Sequence, residues 1–427
     1  MAYETAGVSG TLAKLEGLYK EVYADGINDL IPEAAKLVKA VPFISSAKEQ
    51  GGLYHQPCLL SLEHGVTYAA SDAGAFALKD PCSLQTRDAQ VDGSSIVLRA
   101  AMSLIAASRA SNSKKAFVKA TELQMENVMN SVTKRIEIAS FYGRSGIGQV
   151  ISTYTTNVVV GIETGHFAPG IWSGMEGCKV EIWAPAAATP RDNTGGTHVR
   201  TIVSVDNDAK TITIDDATNV AAGDLIFFEG AVANLDATPK YNEMAGLKAI
   251  LTNTGTLFNI SAATYNLWKG NSISYTSAGG PLSIARIMSA VSKCVARGCD
   301  EDLTAYVGVD TWNSLASDLA AQRSYDQSYD SKKGVAGVES ITYYSANGKI
   351  SIEAHSVVKD NDCFILPLGR LKRIGSADVG FNNPGSEGKM FMMMPSNAGV
   401  EIRCFTDQCI FLETPARAAY ITGFVTT

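Results

Sequence analysis

Charge is what this sequence has least of. Only 19% of its 427 residues are Asp, Glu, Lys or Arg, against about 25% in ordinary soluble domains. Neither sign dominates: 36 bases against 43 acids leave a net charge of −7. That balance excludes the basic face of a dedicated nucleic-acid binder. Long apolar runs are missing as well. No stretch reaches the ~18 residues of a membrane-spanning helix, and the start, MAYETAGVSG, lacks the basic and apolar regions of a secretory signal. Eight scattered cysteines (Cys58, Cys82, Cys178, Cys294, Cys299, Cys363, Cys404 and Cys409) are too sparse for a disulfide scaffold and read as reduced thiols. With 46% hydrophobic residues, the chain has ample apolar surface to offset its ordering entropy. Its length suits two to four domains of roughly 100–200 residues each. An apolar surface short of charge is what neighbouring subunits would cover.

Catalytic signatures are equally absent. There is no phosphate-binding Walker loop, no G-x-S-x-G elbow and no H-E-x-x-H helix. GRSGIG at 143–148 has its glycines in the wrong order for a dinucleotide loop and follows a helix, so it reads as a helix stop. The pairs Cys294/Cys299 and Cys404/Cys409 have wider spacing than zinc ligands usually show and no further ligand nearby, so they read as buried thiols. His55 and His64 have no partner at ligand spacing and read as surface or interface residues. Asp300, Glu301 and Asp302, and the pair Asp215 and Asp216, offer hard oxygen ligands for a cation; solvated turns are the plainer reading. No catalytic, cofactor-binding or metal site is expected.

What is present is an order of elements with an α+β character. Leu12, Leu15, Leu18, Tyr19 and Val22 recur at helical spacing before any core begins, so this N-terminal arm has to dock on its own body or on a neighbour. GGLYHQPCLLSLEHGVTYA reads as an extended segment and VDGSSIVLRAAMSL as its return strand. The long polar stretch between them is of a length usually tied to function. Its apolar residues Leu53, Tyr54, Leu59, Val66, Tyr68, Phe76 and Leu78 need a partner surface. A helix capped at Asn112 or Ser113 runs to Gly143, about 45 Å if fully helical, with Phe117, Leu123, Val128, Val132, Ile136 and Ala139 on its inner face. Short strands between about Trp172 and Lys240 suggest a small barrel or sandwich. Beyond it come a helix behind Ser283, a buried strand AYVGVD, another helix, a tyrosine-containing loop with Tyr325 and Tyr329, and a strand-rich C-terminus.

This succession resembles the major capsid proteins of tailed bacteriophages, which share the Hong Kong 97 fold. QPCLLSLEHGVTYA followed by VDGSSIVLRAAMSLIAASRASNSKKAFVKATELQMENVMNSVTKRIEIASFYG looks like the family's extended loop leading into its spine helix. YNEMAGLKAIL, SIARIMSAVSKCVARG and VEIRCFTDQCIFLETPARAAYITGF look like its axial and peripheral domains. The resemblance implies an N-terminal arm (1–45), an extended loop (46–100), the spine helix with the first part of the peripheral domain (101–171), an inserted β-rich, barrel-like domain (172–240), an axial domain (241–375) and C-terminal peripheral strands (376–427).

It further implies a non-enzymatic shell protein of the virion, assembled in the host bacterial cytoplasm as pentamers and hexamers. Its partners would be further copies of itself, a portal, scaffolding or decoration proteins, and double-stranded DNA touched without sequence readout, with no membrane and no cofactor. The assembly contacts would fall on Tyr54, Leu59, Val66, Tyr68, Phe76 and Leu78 of the loop, Leu15 and Tyr19 of the arm, and Tyr325 and Tyr329. The family's founding member carries a charged N-terminal scaffolding segment; here the arm begins near Met1, so a separate scaffolding protein, or none, is expected. No Lys–Asn crosslinking pair is assigned. Deleting residues 50–95 is expected to leave a folded subunit unable to form shells. Two other readings are an encapsulin-like nanocompartment shell on the same fold and a cytosolic α+β enzyme with an accessory β-domain.

Overall fold

The structure is a computed structural model, and it describes residues 35–45, 53–72, 74–103, 120–154, 158–185, 189–234, 240–275, 280–322, 341–345, 348–381, 391–393 and 399–425. A long helix, Ala120–Tyr142, runs through the middle of the molecule. Its 23 described residues span about 35 Å. Val128, Val132, Ile136 and Ala139 are buried, as the helical spacing predicts, and from Ile136 to Tyr142 every residue is buried. The helix stops at Gly143, where a β-carbon would lie 2.3 Å from the carbonyl oxygen of Met244. Gly246 faces it, and its N–H donates to the Gly143 carbonyl at 3.1 Å. Two glycines thus let the helix end touch the start of the next helix, Leu247–Thr252, backbone to backbone.

Three sheets surround this helix. In the first, Phe43–Ser45 lies parallel to Leu371–Gly380, which pairs with Gly399–Leu412; that strand also pairs with Phe391–Met393 and Ser94–Ser103. The second has the order Asn271–Ser274, Ala419–Thr422, Asp362–Leu366, Leu303–Val307, Gly348–Ala354 and Ile341–Ser345. The helix Ile284–Ala296 packs on it, its start capped by the Ser283 hydroxyl, which accepts from the Arg286 N–H. The third sheet runs Gly148–Gln149, Leu225–Phe228, Lys179–Ala184, Val199–Asp206, Thr211–Ile214, Val159–Gly161. A bridge between Val150 and Ile162 joins its two ends, closing it into a small barrel. Val160, Val180, Ile182, Ile202, Ile212 and Ile226 fill the interior.

Strand membership departs from the sequence partition in three places. The barrel begins at Gly148, well before residue 172, because its first and last strands are two and three residues long and too short to show alternation. Ala419–Thr422, read as peripheral, is an inner strand of the sheet containing 271–366. Ser94–Ser103, read as the return strand of the loop, pairs along its length with Gly399–Gln408; the true return strand is Gln85–Val91. All eight cysteines are free. No helix among the described residues is long and apolar enough to cross a membrane.

Candidate functional site

Tyr54–Ser61 and Gln85–Val91 form a two-stranded antiparallel ribbon that belongs to no larger sheet. Its root is fixed. Leu60, Ala89 and Val91 are buried against Val128, Val132, Ile136 and Phe411, and the Tyr54 ring meets Phe411 edge-on at 6.4 Å. One flank is tied to the 256–265 segment: the Gln90 N–H donates to the Phe258 carbonyl at 3.1 Å. The Tyr265 hydroxyl donates to Gln85 Oε1 at 2.9 Å and accepts from Arg87 Nε at 3.3 Å.

Beyond the root the ribbon has no support. From Leu62 to Arg87 every described residue except Thr67 is exposed. Among the described residues the tip is held by its own atoms, through paired backbone hydrogen bonds between His64 and Cys82 and a bond from the Lys79 N–H to Thr67 Oγ1 at 3.0 Å. Yet it carries large apolar side chains: Tyr68 is 89% exposed, Leu78 79% and Leu62 71%, with Leu59, Val66, Phe76 and Leu84 also exposed. Single exposed apolar residues need no explanation; seven on one projection make it, among the described residues, the candidate surface for a partner. Full burial of such side chains stabilises by about 1.5–3 kcal/mol each, so the projection gains strongly from any apolar surface that covers it.

Of the sequence-based candidates, Leu59, Val66, Tyr68, Phe76 and Leu78 thus share one exposed projection, while Tyr54 sits at its root, half-buried. Leu15, Tyr19, Tyr325 and Tyr329 lie outside the described residues. Leu62 and Leu84 belong with the exposed set and were not singled out; their position inside the same partnerless stretch was the available signal. His55 is paired across the ribbon with Asp88, and His64 is exposed.

The acidic clusters are absorbed locally. Arg417 contacts Asp300 at 3.1 Å, Arg370 contacts Glu301 at 2.6 Å, and Asp302 accepts from the Lys349 N–H. Side-chain hydrogen bonds from Thr194 and Thr218, joined by their N–H groups, which donate to Asp216, hold its carboxyl well below the usual carboxylate range. Among the described residues no group of three or more His, Cys, Asp or Glu side chains is placed to hold a metal ion.

The molecule also carries a buried polar junction that the sequence did not reveal. Glu137 of the long helix, fully buried, accepts from the N–H groups of Leu37 and Val38 at 2.7 and 2.8 Å and bonds His355 Nε2 at 2.8 Å. Nearby, Asp362 accepts from the hydroxyls of Tyr420 and Thr422 at 2.6 and 2.9 Å and has Lys248 at 3.6 Å. Lys359, also fully buried, donates to the Gly146 carbonyl and lies over the Tyr142 ring; burial and the Lys248 charge push its amine well below its ordinary range. The contacts of Glu137 and Lys359 join residues 99 to 218 positions apart, while those of Tyr420 and Thr422 to Asp362 lie between paired strands. The arrangement is a structural clamp.

No family model and no curated protein matches the sequence. The fold is similar to that of solved capsids. With the capsid asymmetric unit of cyanophage A-1(L) the chain shares 11% identity, covering 97% of this chain and 99% of that one, at a TM-score of 0.56. With the capsid of a native GTA particle it shares 7% identity, covering 98% and 100%, at a TM-score of 0.52. At such identities the likeness is one of fold. The chain has the α+β, Hong Kong 97-type capsid fold expected from its sequence.

Proposed function

We propose that this chain is a structural coat protein, the major capsid protein of a tailed bacteriophage. It builds a closed shell from pentamers and hexamers of itself around double-stranded DNA. The observation that carries the reading is the projecting ribbon: an element anchored at its root and lined with large apolar side chains that none of the described residues covers. Such an element serves association with other chains. It suits a subunit that must pack against copies at more than one angle, because a ribbon laid on a neighbour tolerates small changes of orientation. The similarity of the whole fold to two capsid proteins supports the same reading.

In this reading the arm is residues 1–45, the extended loop 46–100, the spine helix and first peripheral part 101–171, the inserted domain 172–240, the axial domain 241–375, and the last peripheral strands 376–427. The barrel strands at 148–161 and the last strand, Ala419–Thr422, cross those lines. The role is mechanical: closed symmetry limits growth, and many individually weak contacts make a strong shell. A portal and scaffolding or decoration proteins complete the particle, which is assembled in the host cytoplasm.

The test is electron microscopy of the purified chain beside a variant in which residues 62–84 are replaced by a two-residue glycine turn. Ser61 and Gln85 are already paired, so the shortened ribbon can close. The full chain is expected to form regular particles and the variant to stay as soluble, folded subunits. Regular particles from the variant would remove the ribbon from its assigned role. A full chain that stays a ~45 kDa monomer under every condition would overturn the reading as a whole.

A further inference from the structure

A cavity of about 1050 Å³ opens between the long helix, the strand Ser94–Ser103 and the near rim of the barrel. Its floor is apolar, with Val132, Ala139, Met175 and Met244 buried and Ile96 and Leu98 partly so. Its charged lining is uneven. Lys179 has a carboxylate partner, Glu229 at 3.9 Å. Lys134 instead donates to the Ser173 carbonyl, and Arg135 donates to Cys178 Sγ at 2.9 Å while lying 3.4 Å over the Phe228 ring. Neither forms an ion pair among the described residues. Glu176 on the rim lies close enough to act on Lys134. Glu243, a buried carboxyl of the lining, is pushed up to about 7 by its burial and is only partly charged near neutrality. Lys39, Lys134, Arg135 and Lys179 thus outnumber Glu176, Glu229 and the partly charged Glu243.

The described chain begins at this cavity. Ala35 and Lys39 line its edge, and 34 residues of sequence precede Ala35. In sequence, those residues complement it. Glu4, Glu16, Glu21, Asp25, Asp29 and Glu33 against Lys14 and Lys20 leave four net negative charges. Leu12, Leu15, Leu18, Tyr19 and Val22 supply an apolar stripe of about 16 Å if helical.

We propose that the cavity is the seat of the chain's own residues 1–34, with their acidic side chains against Lys134 and Arg135 and the Leu12–Val22 stripe on the apolar floor. Tethering makes modest contacts sufficient, because a segment attached at the rim stands at an effective concentration of order mM. The volume also exceeds the roughly 300–1000 Å³ of small-molecule pockets. The inference is independent of shell formation: a chain that never assembles would still be expected to fill this groove.

The test uses the full-length chain and a water-soluble carbodiimide. This reagent activates a carboxylate, which a touching amine then attacks to form an amide, so that carboxylate and amine join with net loss of one water. Lys134 is a good acceptor, since burial and the neighbouring Arg135 bring its amine down to about 8. Unlabelled and ¹⁵N-labelled chains are mixed before any assembly, and the crosslinked peptides are sequenced by mass spectrometry.

The expected products join Lys134 or Lys179 to one of the six acids of residues 1–34, with both peptides carrying the same isotope label. The Lys179–Glu229 link serves as internal control. The Arg135→Glu variant is expected to lower the yield from Lys179 to those acids several-fold. Mixed-isotope products would assign the groove to a neighbour's arm and overturn the proposal. Formation of the control link without any to residues 1–34 would overturn it too, as would an unchanged yield in Arg135→Glu. Should that variant fail to fold, the isotope result on the native chain decides alone.

Discussion

At the scale of single residues, the most consequential side chain is Glu137. Its two oxygens serve two backbone N–H groups and one imidazole in a place closed to water. The Val357 N–H bonds His355 Nδ1 at 3.1 Å, which leaves Nε2 as the nitrogen that donates to Glu137. Glu137→Ala therefore strips three donors of their acceptor at once and is expected to cost about 3–5 kcal/mol, the range for breaking a buried charged network. A urea titration should show the midpoint falling with an unchanged slope, and amides at 36–40 should exchange faster.

Glu243 makes a different prediction, set by pH. Its folded carboxyl titrates at about 7 against 4.5 for the ordinary group, chiefly through burial, partly offset by the Arg144 N–H and nearby guanidinium groups. Below pH 4.5 both states are protonated and no stability is lost. Between pH 4.5 and 7 the unfolded chain has released its proton while the folded chain still holds it, so stability falls across this window by about 3 kcal/mol in all; above pH 7 both states are ionised and no more is lost. Glu243→Gln removes that fall. The variant should match the native chain at pH 4.5 and exceed it at pH 8 in a thermal or urea melt; equal stability at both values would show that the carboxyl is not strained.

At the scale of elements, what could be read in the sequence was whatever buried one face and showed it. The long helix announced itself through Val128, Val132, Ile136 and Ala139, and the Ile284–Ala296 helix through Ile287 and Val291 behind a Ser283 cap. The return strand of the ribbon could not be found this way. Gln85–Val91 reads QTRDAQV and is exposed over its first three residues, so it carries none of the alternation that marks a half-buried strand. The more apolar Ser94–Ser103 took its place in the reading because it is a sheet strand, paired with Gly399–Leu412 three hundred residues on. The partner of a strand is set by tertiary packing, which local pattern does not encode. Glu137 was hidden for the same reason: a glutamate on a helix looks solvated until residues 37, 38 and 355 arrive around it.

The misplaced strand changes what a deletion means. Removing residues 50–95 takes out Leu60, Ala89 and Val91 from the core, and a loss of assembly would then be no different from a loss of fold. Cutting only 62–84 leaves that packing and the Tyr265 tie in place. The surface candidates on the ribbon were legible because an apolar run with no internal partner needs no knowledge of the fold to be noticed.

At the scale of the whole molecule, the shortage of charge has a physical consequence for association. A shell held by surface ion pairs would loosen in salt, because the Debye length shrinks from about 10 Å at 0.1 M to 3 Å at 1 M. Here the projecting ribbon exposes seven large apolar side chains, and only 19% of the chain is charged. Contacts made by burying Leu62, Tyr68, Phe76 and Leu78 follow the hydrophobic effect: they survive screening and weaken on cooling. Particles of this protein are therefore expected to keep their sedimentation boundary from 0.1 to 1 M sodium chloride and to shed free subunits on cooling toward 4 °C. Dissolution by salt at constant temperature would place the dominant contacts on charged residues, and the apolar ribbon would lose its claim to hold neighbouring subunits together. Stability to salt combined with sensitivity to cold is the pattern that contacts made chiefly by apolar side chains require.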